Sequence, residues 1–458
     1  MAELSRIVGS VFAVLCAYLF YHYLEQQITR RQWTKRHGCA DPPKYPHRDP
    51  IGLDLFVSNI RNAKHFRMLE GWKERWQKYG TTFSGMSMGV RNVYTVDPLN
   101  LQSVHALNFS NYGVQPIRRD ATLPFLGEGV FTMDGPFWDH SRALIRPTFT
   151  RTNVANLPAF EVNFQKFLNL LPKDGETVDL KPLFYRLFLD TSSEFLFGES
   201  VNALSEKTPF KTKEFLDAFH YAQRGMGVRI QMRKFKFLFR DKKWWEAIKI
   251  SHDFAYTYVD KALEFRKRYL ESKNSGKKSL SEDDDRHPYV LLHEMAKETD
   301  DRDNLRSQII HIFIAGHDST AITVGHVFFH LCRNPEVYEK LHAEVKALDE
   351  ELTFESLKSM RYLQYAIKET LRLHPVTPLD GRIAYQDTML PTGGGPNGDS
   401  PIFVPKGSLV TTSLHALHRL APCFQPDPDT FRPERWETVR PGWSYLPFFG
   451  GPRICPGR

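Results

Sequence analysis

The ten residues Phe448-Phe-Gly-Gly-Pro-Arg-Ile-Cys-Pro-Gly457 constrain this chain more than any other stretch. They set a single cysteine, Cys455, four residues after Gly451 and two before Gly457. Glycines at those offsets permit a tight hairpin whose backbone approaches a flat ligand closely. Backbone N–H groups around the sulfur stabilise a thiolate, and a thiolate ligand pushes electron density onto iron and favours O–O cleavage. Arg453 offers a planar guanidinium to a carboxylate of such a ligand. The competing reading is a buried structural cysteine, the usual fate of a free thiol. Phe, Gly, Arg, Cys and Gly together at fixed offsets favour the ligand.

The chain around this loop is large enough for an enzyme. Its 458 residues suit two to four domains or one large fold. With 41% hydrophobic and 25% charged residues, wholesale disorder is excluded. The 34 phenylalanines imply a large apolar interior. A formal charge of +8 suits an acidic partner, an anionic membrane or nucleic acid, and equally a plain solvated surface. Zinc-type Cys/His spacings and basic-aromatic motifs are missing, so no nucleic acid is expected. Cys16, Cys39, Cys332, Cys423 and Cys455 are odd in number and irregularly spaced. This argues against a disulfide framework and for a reducing compartment.

The N-terminus points to a membrane. Ile7–Leu24 is predominantly apolar and about the minimum length of a spanning helix. Its end lacks the small residues of a cleavage site. Tyr18, Tyr21 and Tyr23 suit the interface. Arg6 precedes the run and Arg30, Arg31, Lys35 and Arg36 follow it, which places the C-terminal side in the cytosol. Four prolines in Asp41–Pro50 make a stiff connector. The expected organisation is an anchor at 1–30, a basic and proline-rich hinge at 31–52, and a catalytic body at 53–458.

Within the body, Thr81–Asp97 alternates like a hairpin with its turn near Gly89–Asn92. Pro136–Leu270 has helical periodicity. Lys273–His287 reads as a polar surface linker. Helices are expected over Asp301–Arg333, Pro335–Leu348 and Leu357–Leu373, the last stopping before Pro375. Pro391–Ser400 reads as a Gly/Pro-rich loop, Ile402–Leu414 as strand, and Ala421–Arg458 as irregular.

Three further motifs carry chemistry. Ala315-Gly-His-Asp-Ser-Thr320 lies mid-helix, where a glycine costs about 1 kcal/mol relative to alanine. A locally opened helix that admits a diatomic ligand and water would explain it, with Asp318 and a hydroxyl neighbour relaying protons. The bland alternative is small residues at a helix contact. Glu369-Thr-Leu-Arg372 is an i, i+3 ion pair, and Phe431-Arg-Pro-Glu-Arg435 lies downstream. Trp138-Asp-His-Ser-Arg142 is an amphipathic helical segment.

These stretches resemble the cytochrome P-450 superfamily from the anchor to the end of the chain. The resemblance implies a mainly α fold with a small β-sheet subdomain behind an N-terminal transmembrane helix. It implies haem b on the Cys455 thiolate, with Phe448 and Gly457 in the binding loop and Ala315 and Gly316 beside the haem. Trp138, Arg142, Arg382 and Arg453 are then propionate partners. Glu369, Arg372 and Arg435 become a structural triad, and Asp318 with Ser319 or Thr320 the proton relay. The family usually has Thr where Ser319 stands. Partners implied are O2, a small apolar substrate, NADPH-cytochrome P-450 reductase and cytochrome b5, at the endoplasmic reticulum membrane. A helix follows the cysteine loop in the family, whereas this sequence stops at Arg458, so the catalytic domain is expected to be incomplete there.

A narrower resemblance, to fungal alkane and fatty-acid ω-hydroxylases, rests on Leu126-Gly-Glu-Gly-Val-Phe-Thr-Met-Asp134, on Arg146-Pro-Thr-Phe149, and on the long insertion Leu390–Pro401 before Val404-Pro-Lys-Gly407. It implies terminal hydroxylation of a long apolar chain. Alternatives are a hydroxylase of polycyclic secondary metabolites, a haem-thiolate isomerase or dehydratase, and a non-catalytic haem- or lipid-binding membrane protein.

Overall fold

The computed structural model describes residues 2–150, 157–205, 209–274, 289–349 and 351–458. Beyond Asn274, the expected linker at 273–287 lies outside the described residues. The fold is mainly helical with a small β content, as the sequence implied. It divides into two units, Met1–Asn111 with Ala384–Thr411, and Tyr112–Ile383 with Thr412–Arg458.

The first unit holds most of the strands. β1 (Thr82–Ser87) and β2 (Val90–Thr95) form the expected hairpin, closed by Met88-Gly89, so the turn falls at the start of the expected stretch. The strand Leu409–Ser413 pairs in parallel with β2, placing Asn92 against Leu409. The strands Thr388–Gly394 and Ser400–Val404 form a second hairpin. The expected Gly-rich loop at Pro391–Ser400 is therefore confined to 395–399, with 391–394 and Ser400 in strands. The cause is a close backbone approach: a Cβ on Gly394 would lie 2.5 Å from the Ala40 carbonyl oxygen. The Gly395 N–H donates to the Asp41 carbonyl at 3.0 Å.

The N-terminal helix extends beyond the expected anchor. One helix, Ala2–Arg36, runs through both the expected anchor and the start of the hinge. Its second half carries Glu25, Gln26, Gln27 and the basic flank. Among the described residues no helix is long and apolar enough to cross a membrane. Arg30, part of the expected basic flank, is held by both oxygens of Asp387 at 3.0 Å, and Trp33 packs on Phe403. The non-helical connector begins after Arg36.

The second unit is built around the helix Arg302–Leu331. Asp301 caps it, accepting from the Asp303 and Asn304 N–H groups at 3.0 Å. Such a cap is worth about 1 kcal/mol. Leu305, Ile309, Ile310, Ile312 and Phe313 are buried, so the helix shows no single apolar stripe, as expected of one enclosed by others. It packs against Gln115–Leu126, Leu180–Phe197, Lys242–Asn274 and Arg361–Leu373. The helix expected over Leu357–Leu373 is in fact two, Phe354–Ser359 and Arg361–Leu373, broken at Met360. Glu344 causes the break by capping the second helix: its carboxylate accepts from the Tyr362 and Leu363 N–H groups at 2.8 and 2.9 Å. From Ala421 to the end only short 3-10 turns occur, as expected.

Candidate active site

The cysteine loop is a hairpin. The Cys455 N–H donates to the Phe448 carbonyl at 3.0 Å, and Ile454 N–H to the Gly451 carbonyl at 3.1 Å. Gly451 sits at φ +69°, where a side chain would be strained. Gly450 is demanded by packing instead, since a Cβ there would lie 2.6 Å from the Trp443 ring. Cys455 is exposed, and no disulfide uses any of the five cysteines. A Cβ on Gly457 would lie 3.9 Å from the Cys455 sulfur.

Four arginines gather beside this loop. Arg142, on the helix Gly135–Ile145, donates to the Ile454 carbonyl at 2.6 Å. Its guanidinium lies 5.7 Å from the Trp138 ring centroid, and that of Arg453 lies 4.5 Å from the same ring. Arg453 pairs with Asp134 and donates to the Met133 carbonyl at 3.0 Å. Arg382 and Arg118 share Asp380, Arg118 at 2.8 Å. Burial pushes Arg453 down to about 10, against the pull of Asp134; Arg382 and Arg118 add to the burial effect. Asp134 is itself held by the Val114 and Gln115 N–H groups at 2.8 and 2.6 Å. The structure thus brings Trp138, Arg142, Arg382, Arg453 and the cysteine loop together.

The expected scaffold triad is also assembled. Arg372 grips both oxygens of Glu369 at 2.9 Å, and Arg435 donates to Glu369 Oε1 at 2.8 Å. The Trp436 indole and the Arg432 N–H complete the carboxylate at 3.1 and 3.0 Å. Glu369 and Arg372 are wholly buried.

On the central helix, Ala315, Gly316 and Thr320 are exposed although flanked by buried residues. A Cβ on Gly316 would meet only Ser192, at 4.0 Å. The Ser319 hydroxyl donates back to the Ala315 carbonyl at 2.7 Å, a bond that bends helices. Asp318 points elsewhere. Gln223 donates to its Oδ2 at 2.8 Å, and the His317 ring lies 2.7 Å from Oδ1. Burial would raise its pKa, but His317, Gln223 and His220 outweigh burial and hold it below the ordinary range. Among the described residues no hydrogen bond joins Asp318 to Ser319 or Thr320, so the expected relay is not a direct contact.

The sequence matches the cytochrome P-450 family profile over residues 53–458. The chain belongs to the cytochrome P-450 family. It is 37% identical to the cytochrome P-450 monooxygenase g430 of a Fusarium species, over 100% of this chain and 83% of that protein. It is 38% identical to the cytochrome P-450 monooxygenase himC of Aspergillus japonicus, over 99% and 81%. With cytochrome P-450 52A12 of Debaryomyces hansenii the figures are 37%, 98% and 88%. This P-450 is therefore an oxygenase of a family that carries haem b on a cysteine thiolate, draws electrons from a redox partner, and uses O2 on a small substrate.

The residues present fit that cofactor. Arg118 and Arg382 pair with Asp380 and Arg453 with Asp134, while Arg142 binds only the Ile454 carbonyl, so four guanidiniums stand beside two carboxylates. The two positive charges left over match the two propionates of haem b. Sequence reading missed Arg118, Asp134 and Asp380, whose roles depend on long-range pairing. It also missed His418. That ring bonds the Arg372 carbonyl through Nδ1 at 3.1 Å and accepts from the Leu446 N–H through Nε2 at 2.9 Å, tying the triad to the start of the cysteine loop. Nothing in Leu414-His-Ala-Leu-His-Arg-Leu420 signals it.

Proposed function

We propose that this P-450 is a haem-thiolate monooxygenase whose iron is ligated by Cys455, and that it hydroxylates a long apolar chain, a fatty acid or n-alkane, at its terminus. The observation that carries the site assignment is the convergence of Trp138, Arg142, Arg382 and Arg453 on the Cys455 hairpin with two guanidiniums in excess. The substrate rests on the segments Leu126–Asp134, Arg146–Phe149 and Leu390–Pro401 quoted above.

In this reading the arginines hold the propionates and the Phe448–Gly457 hairpin presents the thiolate. Bound haem supplies activation of O2 and insertion of one oxygen atom into a C–H bond. The chain supplies protons. Asp318 is ionised, and its Oδ1 accepts a proton. Ser319 Oγ passes a proton on after releasing the Ala315 carbonyl, at about 0.5–1.5 kcal/mol, and Thr320 offers a second, exposed hydroxyl. Electrons come from NADPH-cytochrome P-450 reductase, with cytochrome b5 as a further donor. Attachment to the endoplasmic reticulum membrane, with the catalytic body in the cytosol, belongs to the same proposal and rests on the apolar run Ile7–Leu24.

The test has two stages. The reduced, CO-treated protein should give the red-shifted Soret band of a thiolate haem, lost in Cys455→Ser. A wild-type spectrum without that band overturns the ligand assignment. Product analysis with reductase, NADPH and either a fatty acid or an alkane should give ω-oxidised product; none at all overturns the substrate. Absence of ω-oxidised product from both substrates leaves the second reading, a hydroxylase of a polycyclic metabolite. Turnover of a hydroperoxide without NADPH would instead indicate an isomerase or dehydratase.

A further inference from the structure

Two imidazoles and a carboxylate meet between the helices Phe210–Met232 and Arg302–Leu331. His220, His317 and Asp318 each present a ligand atom, all within 4.8 Å of one another. The His317 side chain is 1% exposed. Its Nδ1 and Asp318 Oδ1 approach to 2.7 Å, yet neither atom has an aligned hydrogen bond among the described residues. Leaving such a buried group unsatisfied costs about 1–3 kcal/mol, so something beyond these side chains is called for.

The surroundings narrow what that is. Gln223 donates to Asp318 Oδ2, which leaves Oδ1 turned to the imidazoles. Outer partners of this kind orient ligating carboxylates. Tyr185 stands edge-on to both rings, at 6.2 and 5.3 Å between centroids. Two imidazoles and one carboxylate form a donor set for a borderline cation, whereas magnesium and calcium require oxygen.

We propose that His220, His317 and Asp318 form a binding site for a divalent transition cation of the zinc type, separate from the cysteine loop. Bonds of about 2.0–2.1 Å in a tetrahedron put ligands about 3.4 Å apart, so side-chain adjustments of an ångström or so close the site. Three protein ligands leave a fourth position open, which marks an exchangeable site, not a structural one. The cation would occupy Asp318 Oδ1, the atom assigned above to accept a proton, so zinc slows turnover. That last consequence rests on the proposed function; the binding itself does not.

Equilibrium dialysis of the haem-loaded protein against zinc chloride, with bound zinc read by atomic emission, tests the site. One zinc per chain at low-micromolar free zinc is expected. His317→Ala, His220→Gln and Asp318→Asn should each weaken binding about tenfold or more. His220 is only half-buried, so His220→Gln should keep the fold, and far-UV circular dichroism checks it. Absence of stoichiometric zinc in the wild type, or unchanged affinity in folded His220→Gln, overturns the site; a bridging water would give that result. Loss of zinc binding with an intact CO-difference band overturns this site alone. Absence of that band in a zinc-binding wild type overturns only the haem reading.

Discussion

Glu369 and Asp318 are both carboxylates inside the helical unit, and their surroundings are opposite. Each oxygen of Glu369 has several donors, from Arg372, Arg435, Trp436 and Arg432, and its side chain is wholly buried. Asp318 has one aligned donor, Gln223, a facing imidazole and an oxygen with no aligned bond, and it keeps 23% exposure. A saturated buried charge specifies geometry. An under-bonded, partly wet one sits where a proton or cation exchanges. On the proposed function the same residue class serves as scaffold in one place and as chemistry in the other.

Removing the saturated carboxylate should have the largest effect. Glu369→Gln leaves Arg372 and Arg435 buried with too few acceptors, at a cost of about 3–5 kcal/mol. That is a large share of a domain's stability, so folded, haem-loaded yield should collapse. Urea unfolding that places this variant within about 1 kcal/mol of the parent would show that the triad is not the scaffold.

Asp318→Asn should do the reverse. Stability should change by less than about 1 kcal/mol, because the group is not saturated. Turnover should fall by about 10²–10⁴-fold if the carboxylate handles protons. A stable variant with parental turnover breaks the contrast on the functional side.

His418 offers a pH test of the scaffold side. Burial, with the charges of Arg372 and Arg419 adding to it, pushes its pKa down to about 3. The unfolded chain regains about 6.5, so between those values the unfolded state binds the extra proton. Stability is therefore full above about pH 6.5 and is lost as pH falls toward 3, by up to about 1.4 kcal/mol per pH unit for this group. His311, buried and pushed down to about 4, adds in the same direction. His418→Gln should flatten the slope of unfolding free energy against pH by about one proton and lower stability by about 1–3 kcal/mol. An unchanged slope would mean that the ring does not stay neutral in the fold.

How much of this was legible in the sequence follows from range. The hairpin at Thr81–Asp97, the central helix and the cysteine loop are set by local spacing, and they stand where periodicity and glycine placed them. The Glu369–Arg372 pair was legible from its i, i+3 spacing, but Arg435 joined it only through resemblance, because 63 residues separate it from Arg372. Arg118 with Asp380, and His418 with Leu446, depend on pairings that no local pattern encodes. The break at Met360 was missed because its cause, Glu344, sits on another helix. Asp318 stands out in the sequence, but its direction does not: helical phase places it on the face toward Gln223, away from the exposed Gly316 and Thr320.

The smallest expected effect probes whether the two faces of the central helix communicate. Ser319 Oγ spends its hydrogen bond on the Ala315 carbonyl, and Ala315 is exposed, so water can replace that donor when Ser319→Ala removes it. Stability should then change by only about 0.5 kcal/mol. Product formed per NADPH should fall by about two- to tenfold, the worth of one hydrogen bond of about 0.5–1.5 kcal/mol. Ser319→Thr keeps the hydroxyl and should keep the yield. If Ser319→Ala matches the parent in product per NADPH while Thr320→Val does not, the exposed hydroxyl carries the proton alone, and Asp318 must reach it through solvent, not through its helical neighbour.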